Sequence, residues 1–488
     1  MEDPPTFHGR SSELAALRAF VDQAGPGPRL GVVYGRRRQG KTTLVDRLCS
    51  ERGGFSWCAL QQSAHQLLAD FSHAWSAFTG HADTRFTTWE AALTAALESG
   101  TAASPMPIVL DEVGWLIDAE PSFPSVLQRL LHPTRPVGGG AGARLILCGS
   151  DMGSMRRMID VGAPLRGRTS LELIVRPFDF RDTARFWQVA KHPDVAFRLH
   201  AYLGGTPAHR AYIGGAIPAN DAGVDDWVAD HLLAPTSPLL REGRLVMAED
   251  ANLNDRALYG SIVAAVAAGA RSRGEIGSEI GRSTGALAHP LAVLCESGWM
   301  DAESDVLSER STTFHIAEPI VRFHRLVIEP HEARLAFRDR RSLWEGTAAI
   351  VASKIHGPHL ESLAKHWVLA YASEATLGGN PDVVGSAQLR AAGGVQADVV
   401  VAERSGHGRV RVTAVGECKA TDQRVGEPVL SRLDATVDAL AAQRPQVESH
   451  ACRRLLFSRA GFTTGLQRVA RRRGDVELID LDRLLAGT

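Results

Sequence analysis

No apolar run in this chain approaches 18 residues, so a membrane-spanning helix is excluded. The six cysteines (Cys49, Cys58, Cys148, Cys295, Cys418, Cys452) contain no C-x-x-C pair. That argues against a zinc site or a disulfide frame and for reduced thiols. The 18 histidines contain no H-E-x-x-H. Neither sign of charge is in excess: 54 Lys and Arg face 55 Asp and Glu, for a net charge of −1. Any surface for nucleic acid must therefore be local. Met1-Glu2-Asp3-Pro4-Pro5 has neither the basic nor the apolar region of a signal peptide, so the expectation is a cytoplasmic chain without a membrane partner. What remains is an ordinary globular composition, 44% hydrophobic and 22% charged, over 488 residues, enough for two to four domains.

The most informative segment is Gly35-Arg36-Arg37-Arg38-Gln39-Gly40-Lys41-Thr42, a complete G-x-x-x-x-G-K-[ST] phosphate loop. An apolar run, Leu30 to Tyr34, precedes it and reads as a buried strand. Thr43 and the residues after it read as a helix start. Gly35 and Gly40 let the backbone turn its N–H groups inward toward phosphate oxygens. The helix N-terminus adds partial positive charge. In this reading residues 35–43 hold ATP, Lys41 reaches the β- and γ-phosphates, and Thr42 offers its hydroxyl to Mg²⁺.

A second motif, Pro107-Ile108-Val109-Leu110-Asp111-Glu112, is a short apolar strand ending in two carboxylates. Ligands of open α/β sheets bind at the carboxyl ends of strands. Asp111 is the candidate Mg²⁺ residue and Glu112 the candidate for polarising the attacking water. A third strand, Ala143 to Gly149, ends in Ser150-Asp151. Ser150 is either a γ-phosphate sensor or a loop cap.

Strands expected at 30–34, 55–59, 107–111, 143–149 and 171–175 alternate with helical segments, the mark of a parallel sheet flanked by helices. The Gly- and Pro-rich stretch from Pro133 to Gly142 reads as a surface loop. Residues 180–235 read as helical, broken at Gly204-Gly205-Thr206-Pro207, with a connector at Ala234 to Pro238. A P-loop domain with a helical lid is thus expected over 1–235. Residues 236–330 hold a linker and a different unit. Its helices are expected at Leu258 to Ala268, Ser272 to Gly281 and Ser283 to Cys295. A wing follows from Gly298–Asp301 and Thr312–Ile316, the pattern of a winged helix. Ser283 to Met300 contains no Lys or Arg. A DNA-reading helix needs phosphate contacts, so a structural or protein-contacting role competes with DNA binding.

Residues 331–488 form a third expected unit. Asp398 and the pair Glu417-x-Lys419 fall on two neighbouring expected strands, and residues two apart on a strand share a face. Glu361, on a preceding helix, could complete the group. Two or three carboxylates suit Mg²⁺, and a lysine beside them suits phosphodiester hydrolysis. The alternative is a nuclease-like fold with an inert site.

Together, Phe7-x-Gly9-Arg10-x-x-Glu13-Leu14, the Leu-Asp-Glu strand, Gly149-Ser150, Pro164-Leu165-x-Gly167-Arg168 and Gly204-Gly205-Thr206-Pro207 resemble the archaeal-type ATPase family. That family belongs to the STAND-like, AAA-related P-loop NTPases. The resemblance continues through Phe314-x-Ile316-x-Glu318-Pro319-x-x-Arg322-Phe323 at the end of the wing and into a C-terminal domain similar to PD-(D/E)xK nucleases. It implies an α/β architecture of P-loop sheet, lid, winged helix and restriction-endonuclease-like domain. It further implies Lys41, Thr42, Asp111 and Glu112 at a hydrolytic ATP site. Arg168 would contact the γ-phosphate in cis or from a neighbouring subunit, and Phe7 to Leu14 would pack by the adenine. Gln396 departs from the acidic residue often found there in relatives. The expected activity is a Mg²⁺-dependent ATPase switch or motor with an effector acting on DNA or RNA. The rival is an ATP-binding scaffold that recruits a protein or DNA partner. A small-molecule kinase lacks any acceptor site.

Overall fold

The computed structural model describes residues 7–488 except 24–26, 82–83, 102, 133–141, 219, 251, 336, 338, 390–394, 405–409, 444–451 and 488. The expected surface loop from Pro133 onward lies outside the described residues up to Ala141. The chain divides into two compact units. One runs to Pro177 and adds Thr206–Ala208 and Asp250–Asn252; the other holds the rest.

The first unit is built on five parallel strands: β1 (Arg29–Tyr34), β2 (Phe55–Cys58), β3 (Met106–Asp111), β4 (Ala143–Gly149) and β5 (Thr169–Ile174), in the order β2-β3-β4-β1-β5. Alternate residues feed two cores. Leu30, Val32, Ile108, Leu110, Leu145 and Leu147 point to one face, and Val33, Val109, Ile146 and Cys148 to the other. Burial on both faces is what makes these strands continuous apolar runs. Beneath β2 an aromatic cluster packs edge to face, with Phe55 and Trp75 ring centroids 5.0 Å apart and Trp57 and Phe71 5.4 Å apart.

The second unit begins with several helices, including Pro193–Leu203, which ends at Gly204 with φ 68°. Helices Arg256–Ala268, Arg273–Ile280 and Ala288–Glu296 follow, then an antiparallel hairpin of β6 (Met300–Asp305) and β7 (Ser308–Ile316). Ser272 and Glu275 close a capping box on the second helix and Gly281 ends it. The third helix starts later than its sequence suggests. Gly285–Leu287 forms a separate turn, and the helix begins at Ala288 with Pro290 in its first turn, where a missing N–H costs nothing.

A mixed sheet completes this unit, in the order β12-β11-β10-β9-β8, from β8 (Val383–Leu389), β9 (Val395–Arg404), β10 (Val410–Lys419), β11 (Arg453–Ser458) and β12 (Val476–Asp480). β8, β9 and β10 run antiparallel, while β10, β11 and β12 run parallel. Val399, Val401, Leu455 and Phe457 face a core continuous with the helices before β6; Val400, Ala402 and Leu456 face a separate one under the helix Glu427–Gln443. Two buried imidazoles join the helix Pro193–Leu203 to the helix Gly357–Ala370: His200 Nδ1 lies 3.0 Å from His359 Nε2. Burial pushes His200 down to about 4 and His359 well below the usual range, so both are neutral at pH 7.

Candidate functional site

The phosphate loop leaves β1 at Tyr34 and enters the helix Lys41–Arg52. Two residues carry its sharp turn in the left-handed region, Arg38 at φ 68° and Gly40 at φ 80°. Gly35 is needed for a different reason. A Cβ there would sit 2.2 Å from the Val175 carbonyl oxygen, so only glycine lets β5's continuation pass. Gln39 is anchored twice. Its carbonyl accepts from Arg10 Nη2 at 3.0 Å and its Nε2 donates to Thr206 Oγ1 at 3.0 Å. Arg10 is itself left-handed, at φ 59°, and pairs with Glu13 at 2.9 Å. The Phe7–Leu14 segment therefore braces the loop.

Lys41 is buried to 5% exposure and donates to the Arg36 carbonyl at 2.9 Å. Burial lowers its pKa, and Cys148, Glu112 and Asp111 pull it back up. Thr42 Oγ1 donates to Asp111 Oδ2 at 2.6 Å. The other oxygen, Asp111 Oδ1, accepts from the Glu112 backbone N–H at 2.8 Å. Glu112 starts the next helix at φ 48°, and its Oε2 accepts from Ser150 Oγ at 2.8 Å. Arg37, exposed above the loop, reaches Ser150 Oγ at 3.4 Å. Thr43 is exposed in the first helical turn. Asp151 caps the helix Met152–Ile159 and accepts from Asn252 Nδ2 at 2.7 Å. Two carboxylates, two hydroxyls and a buried ammonium thus meet at the carboxyl ends of β1, β3 and β4.

The donor set suits a hard cation. Mg²⁺ takes oxygen ligands and keeps several waters, so it needs one or two protein oxygens beside phosphate. The Thr42 hydroxyl and Asp111 carboxylate, already 2.6 Å apart, supply that pair.

Arg168 is placed elsewhere. Thr169 pairs with Leu30, so Arg168 stands level with the start of β1, at the sheet's amino edge. The loop follows Tyr34, five residues along, or roughly 16 Å at strand rise. The backbone at Arg168 therefore lies toward the end of the sheet away from the loop.

The C-terminal group is drawn together only in part. Asp398 on β9 accepts from the Cys418 N–H at 2.9 Å, and Lys419 Nζ pairs with Glu417. Glu361 is turned to Arg271 at 3.4 Å. Burial, with Glu361 and Glu417 nearby, raises Asp398 to about 7. Among the described residues no group of three His, Cys, Asp or Glu is arranged to hold a metal ion. The expected metal set of Glu361, Asp398 and Glu417 is thus corrected. Glu361 and Glu417 each face a cation of the chain, and as arranged the three do not make a metal centre.

No family model matches the chain, and no curated protein does. Similar solved structures include the Walker-type ATPase PABY2304 of Pyrococcus abyssi, at 18% identity over 65% of this chain and 96% of that one, with a TM-score of 0.49. Another is the ORC2 protein of Aeropyrum pernix in its ADPNP-ADP complexes, at 15% identity over 71% and 97%, with a TM-score of 0.39. A third is the Aeropyrum pernix ORC1 protein in complex with DNA, at 14% identity over 68% and 95%, with a TM-score of 0.30. These are distant likenesses.

Sequence reasoning named Arg10, Thr206 and Ser150 but missed the contacts that they make. Arg10 and Thr206 brace Gln39, and Ser150 orients Glu112. The Gly-Arg and Gly-Gly-Thr-Pro segments did single out the residues, but nothing in their spacing gives the contacts.

Proposed function

We propose that the first unit is a Mg²⁺-dependent ATPase that works as a nucleotide switch or motor. The observation carrying this is the Thr42–Asp111 hydrogen bond at 2.6 Å, formed at the mouth of the loop with Glu112 held beside it by Ser150. Lys41 would bind the β- and γ-phosphates, and Glu112 would hold and polarise the attacking water. Mg²⁺ on Thr42 and Asp111 would supply charge neutralisation between the β- and γ-oxygens. Arg168, distant from its own loop, fits a finger reaching a neighbouring copy, which implies a homo-oligomer. The Phe7–Leu14 segment is the candidate adenine rest, because it is already tied to the loop. Lys41→Ala should abolish ATP turnover and weaken nucleotide binding; wild-type turnover in that variant would refute the assignment.

The two later modules make the effector, with DNA or RNA as the proposed partner and Asp398, Glu417 and Lys419 as the candidate cutting residues. A second reading, an ATP-binding scaffold that only recruits partners, is favoured by two observations. Glu361 and Glu417 each face a cation of the chain, and Ser283 to Met300 lacks Lys and Arg. Incubation with DNA and RNA in Mg²⁺ or Mn²⁺, with and without ATP and chelator, separates the two. Chelator-sensitive cutting supports the effector, and uncut but retained nucleic acid supports the scaffold.

A further inference from the structure

A small cavity of about 100 Å³ opens in the second unit where the helix Arg256–Ala268 and β7 meet the π-helical turn Val351–His356. Its lining includes Arg271, Arg322 and Lys354 and, among the described residues, no carboxylate. Arg322 comes from the short helix Pro319–Phe323 and is only 8% exposed. Its guanidinium carries five N–H donors, and among the described residues its Nη2 donates to the Ile316 carbonyl at 2.9 Å. Lys354 stands over Gly269, whose φ is 120°; a Cβ there would lie 2.7 Å from Lys354 Nζ. The missing side chain leaves the lysine room at the cavity mouth.

His315 sets the remaining cation. Its Nδ1 lies 3.4 Å from Arg271 Nη1, and its Nε2 lies 3.2 Å from Thr313 Oγ1. Burial, then Arg271 and Lys365, push it down to about 4, so it is neutral at pH 7. A neutral ring can accept at Nδ1 and thereby orient Arg271 along the cavity wall. Arg271 also reaches Glu361 at 3.4 Å, on the side where Asp398 lies.

We propose that this cavity is a phosphate-binding site, taking one phosphate group as a free anion, a terminal monoester or a backbone diester. Buried arginines are unfavourable without an anion beside them, and guanidinium matches phosphate geometry through paired N–H donors. Burial and Arg271 both push the Arg322 pKa down, to about 10, against the pull of Glu361 and Asp301. An anion among the three cations would relieve both penalties. The volume suits one phosphate group rather than a nucleotide. The site is independent of the ATP reading, since it shares no residue with the phosphate loop.

Isothermal titration of the full-length protein with inorganic phosphate tests it, alongside short single-stranded DNA with and without a 5′-phosphate. Wild type and Lys41→Ala should both bind phosphate. Lys354→Glu, a surface change that the fold should accept, should weaken that binding about tenfold or more, as should Arg322→Gln if it folds by circular dichroism. Tighter binding of the 5′-phosphorylated strand would assign a terminal phosphate, equal binding of both strands a backbone diester, and binding of phosphate alone a free anion. Loss of all phosphate binding in Lys41→Ala would overturn the proposal, because the loop alone would then account for it. So would unchanged binding in Lys354→Glu. ATP binding in Lys41→Ala tests the loop separately.

Discussion

Replacing Glu112 by glutamine isolates its charge from its shape. The carboxylate accepts from Ser150 Oγ at 2.8 Å, and an amide oxygen of the same size can accept in its place. The backbone at φ 48° is equally strained for both residues, at about 1 kcal/mol, so that cost cancels between variant and wild type. The unfolding midpoint should therefore move by no more than about 2 °C. Turnover should not survive so well. A neutral amide cannot take or polarise a proton, and loss of such a base costs roughly 10²-fold or more. That is about 2.7 kcal/mol on the barrier. Nucleotide affinity should hold, because Lys41, Thr42 and Asp111 are untouched. Steady-state phosphate release and fluorescent-nucleotide titration read the two quantities separately. A Glu112→Gln protein that hydrolyses ATP at the wild-type rate would refute the role. A protein that loses binding and turnover together would make Glu112 part of the nucleotide cradle instead.

Arg168→Ala should lower turnover, and mixing it with Lys41→Ala protein should restore part of it if the arginine acts across a subunit boundary; unchanged turnover in Arg168→Ala alone would make the residue structural. Full-length protein should show little sequence preference for duplex DNA at physiological salt, because Ser283 to Met300 offers no Lys or Arg; tight, sequence-specific binding would contradict that. Asp398 is raised to about 7 in the fold, so the folded chain holds an extra proton between about pH 4 and 7 and loses stability as pH rises through that window. Asp398→Asn should flatten this slope and raise the midpoint above pH 7, read by thermal denaturation across pH.

The central strands of the first sheet, β1, β3 and β4, were legible because they are buried on both faces. All five expected strands are present within two residues, from Leu30 to Val175. The loop and the Asp111-Glu112 pair were equally plain, since each sits directly after such a strand. The edge strands of the second sheet were not legible. β8 reads Val-Val-Gly-Ser-Ala-Gln-Leu, with Gly385 in its middle and no apolar run, and β12 is five residues of mixed polarity. Arg168 shows a signal that went unused. It precedes its strand, and in a parallel sheet the start of a strand lies at the edge opposite the phosphate loop. The histidine pair and the Arg271–Glu361 contact join residues 159 and 90 positions apart, which no local pattern encodes.

The two groups of acidic residues differ in what a cation would have to displace. At the loop, the side chains bonded to Asp111 are neutral donors, Thr42 Oγ1 and the Cys148 thiol, not cations. A metal ion could take the Asp111 and Thr42 oxygens for the loss of neutral hydrogen bonds, each worth about 1 kcal/mol net. Lys41 stays with the Arg36 carbonyl and competes for neither. In the C-terminal group the carboxylates of Glu361 and Glu417 are already matched to Arg271 and Lys419. Asp398, near 7, is about half protonated at neutral pH. A metal there must displace a proton and outcompete two ammonium or guanidinium groups, each a charge-assisted contact stronger than a neutral one. The same sequence chemistry, carboxylates at the ends of strands, therefore gives a site ready for a cation in one unit and a self-neutralised cluster in the other. Anything that draws Arg271 away from Glu361 would shift that balance toward a metal.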